Sequence, residues 1–481
     1  MLPSTAYGDS RLSLWLRVRR YAVPPSMIER ATGRRAAGDW AGACAAARID
    51  LDLDLRSLAR AHGRELAARL RADLRHLAPD LLRWHMPRIA PDGLLRPGLT
   101  LTLARYERPG RAGPLHLVAR TPPSWADAGQ RISLAVWDPA RAETGGHPHP
   151  HPNRRYRLDL HRHLWDARRA AELRDRAGAV SRKPDPLGLV PPVPGCAVGR
   201  WAAEAALLLA AEGRSTGALA VRLGGRRRLA LELVTDAGGA SGPAARSTPA
   251  GEHVSCRDPG ADGAARALRV VTQPPPGGFS TLPVLPDAAT WVLPDLELLH
   301  AGLLDPGQLH PLVAAALAPG REPAGPAHDV DPAAGARRVE CRGATHRIGL
   351  VDGVLAPLDH DPAELRREEL LAALGGPPLP CLRAVDEAHR RPDCLAGVRE
   401  RLDHGDTAGA LAVVEGLLGP GAVLRDGPLR DELAAAAERR ISYGLYRAGL
   451  MGSGRTSVTR RDRTGRGRRP TPRQDRVVTF F

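Results

Sequence analysis

The chain has 481 residues, 43% of them hydrophobic and 25% charged, so it is long enough to bury several cores and is neither fibrous nor low-complexity overall. Its net charge is +16, yet Lys183 is its only lysine, which argues against functions that place a lysine on phosphates or in a Schiff base. The longest apolar run, WAAEAALLLAA, is too short to span a bilayer, and six scattered cysteines without a C-x-x-C pair indicate neither a disulfide framework nor a zinc ribbon.

In chain order, residues 24–90 carry a helical pattern. Leu66, Leu70, Leu74, Leu77 and Leu81 recur at helical spacing, and Pro79 is expected to open a new helix. Arg60, Arg64, Arg71 and Arg75 lie on the opposite stripe and read as its solvated face. Alternating runs LTLTLARY, PLHLVAR and RISLAVW, separated by Pro/Gly loops, predict strands. A Pro-rich connector at 181–196 leads to a helix over RWAAEAALLLAAEG and a hairpin over ALAVRLGGRRRLALELV. Residues 236–266 have a disordered composition. Strands are expected to resume at TWVLPDLELL, and RIGLVDGVLAPL predicts a hairpin turning at Asp352-Gly353. From Pro362 to Gly449 the pattern is helical. From Arg455 onward the tail carries nine arginines against two aspartates, nearly half the excess charge.

Several short motifs approach known ones and depart at the position that carries the chemistry. GLMGSGRTS at 449–457 resembles a P-loop, with Arg455 in place of lysine and a helix rather than a strand before it. Asp386, Glu387, Ala388 and His389 resemble the acidic motif of DEAH-box helicases, but Leu382, Val385 and Ala388 form one face of a helix. GRSTG at 213–217 matches the nucleophile elbow of α/β-hydrolases in the reverse context, helix before and strand after. Asp50, Asp52 and Asp54 resemble the start of a calcium loop, but Leu55 and Ala61 stand where glycine and glutamate belong, and Asp54 suits a helix N-cap.

The histidines carry the metal alternative. In HPHPHP the prolines hold His147, His149 and His151 in an extended chain that splays them apart. If RYRLDLHRHLW is extended, Asp159, His161 and His163 project from one face at a spacing that suits one ion, and LDHDP (Asp359, His360, Asp361) offers a further ligand. In the competing reading Tyr156, Leu158 and Leu160 face the core and the histidines sit at a strand end.

G-D-x-A-G-A occurs twice, at Gly38–Ala43 and Gly405–Ala410. It encodes a turn in which glycine ends one helix, aspartate starts the next, and small residues keep it slim. Such hairpins resemble single units of tetratricopeptide-type repeats, although two copies do not build a solenoid.

The sequence therefore predicts an α+β protein with helical regions at both ends, a β-rich, loop-interrupted middle and a disordered basic C-terminal tail. The expected regions are 1–95 (helical), 96–180 (β-rich, ending in a helix), 195–358 (α/β, with the insert at 236–266), 359–450 (helical) and 451–481 (tail). The expected function is a non-enzymatic cytoplasmic interaction or adaptor protein that binds a protein partner through helical hairpins, with no cofactor and no membrane. The alternatives are non-specific nucleic-acid binding through Arg460, Arg461, Arg463, Arg466, Arg468 and Arg469, and a metal-dependent hydrolase centred on Asp159, His161 and His163.

Overall fold

A computed structural model describes residues 4–111, 113–140, 147–177, 195–225, 227–235, 266–271, 278–320, 337–450 and 479–480. The fold is α+β. The chain divides into two compact units, one drawn from Met1–Pro123, Ile132–Ala324 and Thr459–Phe481, the other from Ser124–Arg131 and Gly325–Val458.

The first unit opens with α1 (Ser4–Arg17), α2 (Pro25–Ala36), α3 (Trp40–Ala46), β1 (Ile49–Asp52), α4 (Leu55–His62), α5 (Arg64–Arg75) and α6 (Pro79–Trp84). The predicted leucine stripe is the reason α5 and α6 fold where they do: Leu66, Leu70, Leu74, Leu77 and Leu81 are all buried. Each fully buried leucine contributes about 1.5–3 kcal/mol. Arg64, Arg71 and Arg75 are exposed, as a solvated face requires. Pro79 occupies the first turn of α6, where its missing N–H costs nothing.

Short strands β2 (Arg88–Ile89) and β3 (Leu94–Leu95) precede β4 (Thr100–Tyr106), β5 (Leu115–Arg120) and β6 (Ile132–Trp137), which are the three predicted strands. The sheet order is β1-β6-β5-β4. β5 pairs antiparallel with both neighbours, whereas β1 joins β6 in parallel, Ile49 opposite Ile132. Leu101, Leu103, Leu115, Leu117 and Leu134 pack in the same core as the α5 leucines.

The segment after His147 is not a strand. Arg157 makes a single parallel bridge to Thr102, residues 158–160 then turn, a 3-10 turn covers Arg162–Leu164, and a short helix α7 (Leu173–Arg176) follows. Tyr156 and Leu158 are buried, and Trp165 Nε1 donates to Leu158 O at 3.0 Å, which pins the turn to the core.

Helix α8 (Trp201–Ala211) lies against a sheet of β7 (Gly217–Arg222), β8 (Arg228–Thr235) and β9 (Arg266–Val270), in that order. The β7–β8 hairpin is the predicted one, with Leu219, Val221, Leu231 and Leu233 buried. Residues 236–265 of the expected disordered insert lie outside the described residues. TWVLPDLELL is a correction. After α9 (Asp287–Thr290), its second half is α10 (Pro294–His300), followed by α11 (Pro311–Leu317). Pro294 at the start and Asp295 and Glu297 in the first turn are helix-start signals that outweigh the apolar, strand-like letters around them.

In the second unit, β10 (Arg337–Cys341), β11 (Ala344–Val351) and β12 (Val354–Pro357) form an antiparallel sheet, followed by α12 (Pro362–Ala373), α13 (Pro380–Arg390), α14 (Leu395–Asp403), α15 (Thr407–Leu418) and α16 (Pro428–Arg447). Both hairpin turns carry two residues with positive φ: Arg342 (54°) and Gly343 (78°), then the predicted Asp352 (50°) and Gly353 (78°). Val398, Leu402, Ala410, Val414, Leu418 and Leu429 form the helical core. The DEAH-like residues lie on α13, with Val385 and Ala388 inward, and Gly449 (φ 67°) stands just past the end of α16. Trp125, from the 124–131 segment, meets Tyr446 of α16 edge-on at 5.3 Å between ring centroids.

The last described element, β13 (Thr479–Phe480), pairs antiparallel with β2, both strands belonging to the first unit. Residues 451–478, including Arg455 and the arginines at 460, 461, 463, 466, 468 and 469, lie outside the described residues.

Candidate functional site

The two G-D-x-A-G-A copies adopt the same turn. Gly38 and Gly405 have φ of 78° and 80°, a conformation that favours glycine. Asp39 and Asp406 then cap α3 and α15 by accepting from the N–H of Gly42 (2.8 Å) and Gly409 (3.3 Å). An arginine five residues earlier, Arg34 or Arg401, reaches back to the same aspartate at 2.8 or 3.2 Å. The second glycine is required because the carboxylate folds over it. A Cβ at Gly42 or Gly409 would lie 2.0 or 2.1 Å from the aspartate Oδ2.

In the second unit α12 is the exception to the helical core. It buries none of its residues, and Leu370, Leu371 and Leu374 are 66%, 53% and 86% exposed. Its attachment is polar. Asp361 caps its first turn, and Arg342 pairs with both Glu364 and Glu368, one helical turn apart.

The predicted metal residues fall into a buried ion cluster in the first unit. Both Asp159 oxygens accept from Arg157, at 2.9 and 2.8 Å. His161 Nε2 lies 3.1 Å from Glu204 Oε2, and the His161 and His163 ring centroids are 5.8 Å apart. Arg176 Nη2 donates to Glu204 at 2.5 Å and Arg200 approaches at 3.4 Å. Burial opposes ionisation of Glu204, but His161, Arg176 and Arg200 outweigh it and hold the carboxyl well below its ordinary range. Burial, reinforced by Arg176, pushes His163 the other way from charging, well below its usual value. The three residues are neighbours, but Asp159 turns to Arg157 and His161 to Glu204. The HPHPHP histidines diverge as expected. His147 contacts Thr121 O at 2.9 Å, His149 lines a 410 Å³ surface pocket with Arg96 and Asn153, and the His151 ring lies 5.8 Å from that of Trp137.

Two further clusters are not announced by the sequence. In the first unit's core, His310 Nε2 meets Asp80 Oδ2 at 2.9 Å and Trp84 Nε1 donates to Asp295 at 2.8 Å. His85 is buried beside them with neither ring nitrogen hydrogen-bonded. Burial, then the charge of His310, pushes His85 down to about 3, so it is neutral. In the second unit, Cys341, His360 and Cys381 place one ligand atom each within 4.8 Å of one another, the one such trio among the described residues. His360 is thus brought together with two cysteines, and not with the Asp159 segment.

No known family, curated protein or solved structure matches the chain. The functional reading rests on this geometry.

Proposed function

We propose that the protein is a non-enzymatic interaction protein of the cytoplasm, and that α12 is the surface on which it receives a helix of a protein partner. The supporting observation is the exposure of Leu370, Leu371 and Leu374 on a helix that buries nothing. A lone 12-residue helix is marginal in water. Three adjacent leucines in solvent forfeit the burial that stabilises helices elsewhere, and a patch of this kind marks a docking site. Exposed Arg366 and Arg367 border the leucines, so an amphipathic helix with acidic residues beside its apolar stripe is the complementary partner. Free thiols at Cys44, Cys196, Cys341, Cys381 and Cys394 fit a reducing compartment. Among the described residues no helix is long and apolar enough to cross a membrane.

The test is affinity capture of the full-length chain from its native cell, beside a variant carrying Leu370→Glu, Leu371→Glu and Leu374→Glu. A partner retained stoichiometrically by the first and lost by the second, at equal melting temperature, supports the reading. Equal retention by both removes α12 as the docking surface.

A further inference from the structure

We propose that Cys341, His360 and Cys381 bind one zinc ion, with a solvent molecule as the fourth ligand, at a site that staples the β10–β11 hairpin to α13. Each ligand is placed by a separate local device. The turn at Arg342-Gly343 sets Cys341 at the end of β10, opposite Ala344, with His346 two residues further along β11. His360 precedes Asp361, the N-cap of α12, and Cys381 lies in the first turn of α13 behind Pro380.

The donors already converge. One atom each from Cys341, His360 and Cys381 lies within 4.8 Å of the others, and both thiols are fully buried. Tetrahedral zinc, with bonds of about 2.3 Å to sulfur and 2.0 Å to nitrogen, sets donor separations of about 3.3–3.8 Å, so little closure is needed. The His346 ring stacks on that of His360, with centroids 4.2 Å apart and planes 10° from parallel; parallel rings cannot aim their in-plane lone pairs at one ion, so His346 fixes the His360 ring and does not itself ligate.

Independent of this convergence, Nε2 of His360 is buried without a hydrogen-bond partner. An orphaned buried nitrogen is costly, and an ion bound to it removes the cost. The other nitrogen of His360, Nδ1, faces Glu364 Oε2 at 3.9 Å. At that separation the carboxylate is a charge contact rather than a hydrogen bond, on the side of the ring opposite the nitrogen left for the metal. Glu364 is itself held by Arg342.

Charge and softness select the ion. Two thiolates neutralise one divalent cation, and sulfur donors favour zinc over magnesium or calcium. Each thiol gives up its proton to solvent on binding, two per ion, so affinity falls as pH falls. The three protein ligands come from a hairpin, a loop and a helix, so the ion ties those elements together, and its fourth position is left to solvent. The apolar cluster here is small, Cys341, Leu379 and Cys381 with Val339 and Leu382 packed against it, so an ion at its centre would add to the attachment of hairpin and helix.

The experiment uses untagged full-length protein purified without chelator. Metal analysis is expected to give one zinc per chain. Chelator-stripped protein titrated with cobalt(II) should develop a thiolate-to-cobalt charge-transfer band, and stripping should lower the melting temperature. Cys341→Ser and Cys381→Ser should abolish the band, and His360→Ala should weaken binding at least tenfold. Cys44→Ser and the His161→Ala, His163→Ala double variant should leave it intact. Wild-type protein that shows no cobalt band overturns the proposal whether or not the serine variants fold. So does a Cys341–Cys381 disulfide in protein kept under reducing gas, metal that is lost with His161 and His163, or a His360→Ala variant that binds as tightly as wild type.

Discussion

Replacing Gly409 by alanine sets two known effects against each other. Alanine improves helix propensity by up to about 1 kcal/mol over glycine. The added Cβ, however, would lie 2.1 Å from Asp406 Oδ2 and 2.8 Å from its Cγ, so the cap must leave. Losing an aspartate N-cap costs about 0.5–2 kcal/mol. Asp406 is also only 6% exposed and paired with Arg401, so a displaced carboxylate sacrifices a buried charge contact worth about 1–3 kcal/mol. The balance is a net loss of about 0.5–4 kcal/mol from Gly409→Ala. In an Asp406→Ala background nothing remains to clash, and the same change should stabilise by a few tenths to about 1 kcal/mol. The sign reversal is the signature, and the coupling should be about 1 kcal/mol or more. Urea titrations followed by hydrogen exchange of the Thr407–Leu418 amides read the local stability of α15 directly. If Gly409→Ala has the same sign in both backgrounds, the carboxylate does not dictate the glycine.

Acid should expose the buried histidine. The unfolded chain takes a proton on His85 near 6.5 that the folded chain refuses until about 3, so the unfolded state binds more protons in that window. Stability is therefore lost as pH falls through it, by about 1.4 kcal/mol per pH unit at most, and His85→Leu should flatten that limb of a stability–pH curve. A variant with an unchanged slope would show that His85 does not titrate on unfolding. The α12 triple glutamate variant should melt within about 0.5 kcal/mol of wild type, because it removes no buried contact; a large loss by calorimetry would mean the leucines are packed. Purified protein should neither bind nor hydrolyse ATP, and turnover abolished by Arg455→Ala or Glu387→Gln would contradict the elimination made from the single lysine.

What was legible in the sequence is what depends on neighbours a few residues apart. The leucine stripe through Leu66, Leu70 and Leu74, strands β4 to β6, the β7–β8 and Asp352-Gly353 hairpins and the caps at Asp39, Asp54 and Asp406 all follow from local periodicity or turn chemistry. TWVLPDLELL departs from its expected strand because a short apolar run fits strand or buried helix equally, and Pro294 decides for the helix. The RYRLDLHRHLW segment turns because Trp165 folds back on Leu158, a contact no period-two pattern reveals. The Cys341–His360–Cys381 cluster was illegible for another reason. Its members lie on a hairpin, a loop and a helix, and only tertiary packing brings them within 4.8 Å; the absence of C-x-x-C said nothing about such a set. The one local hint was His360 beside a helix cap.

The discontinuity of the second unit has a consequence for synthesis. Residues 124–131 emerge from the ribosome long before α16, the helix whose Tyr446 receives Trp125. At about 5–20 residues per second, that short piece waits some 15–60 s for its counterpart to be translated. Gly405 records how close the late docking is, since a Cβ there would lie 2.0 Å from the backbone oxygen of Gly129. A nascent chain halted anywhere before residue 428 thus carries an orphaned tryptophan, and one clean cut before the β10 hairpin separates the C-terminal helices from a part of their own fold.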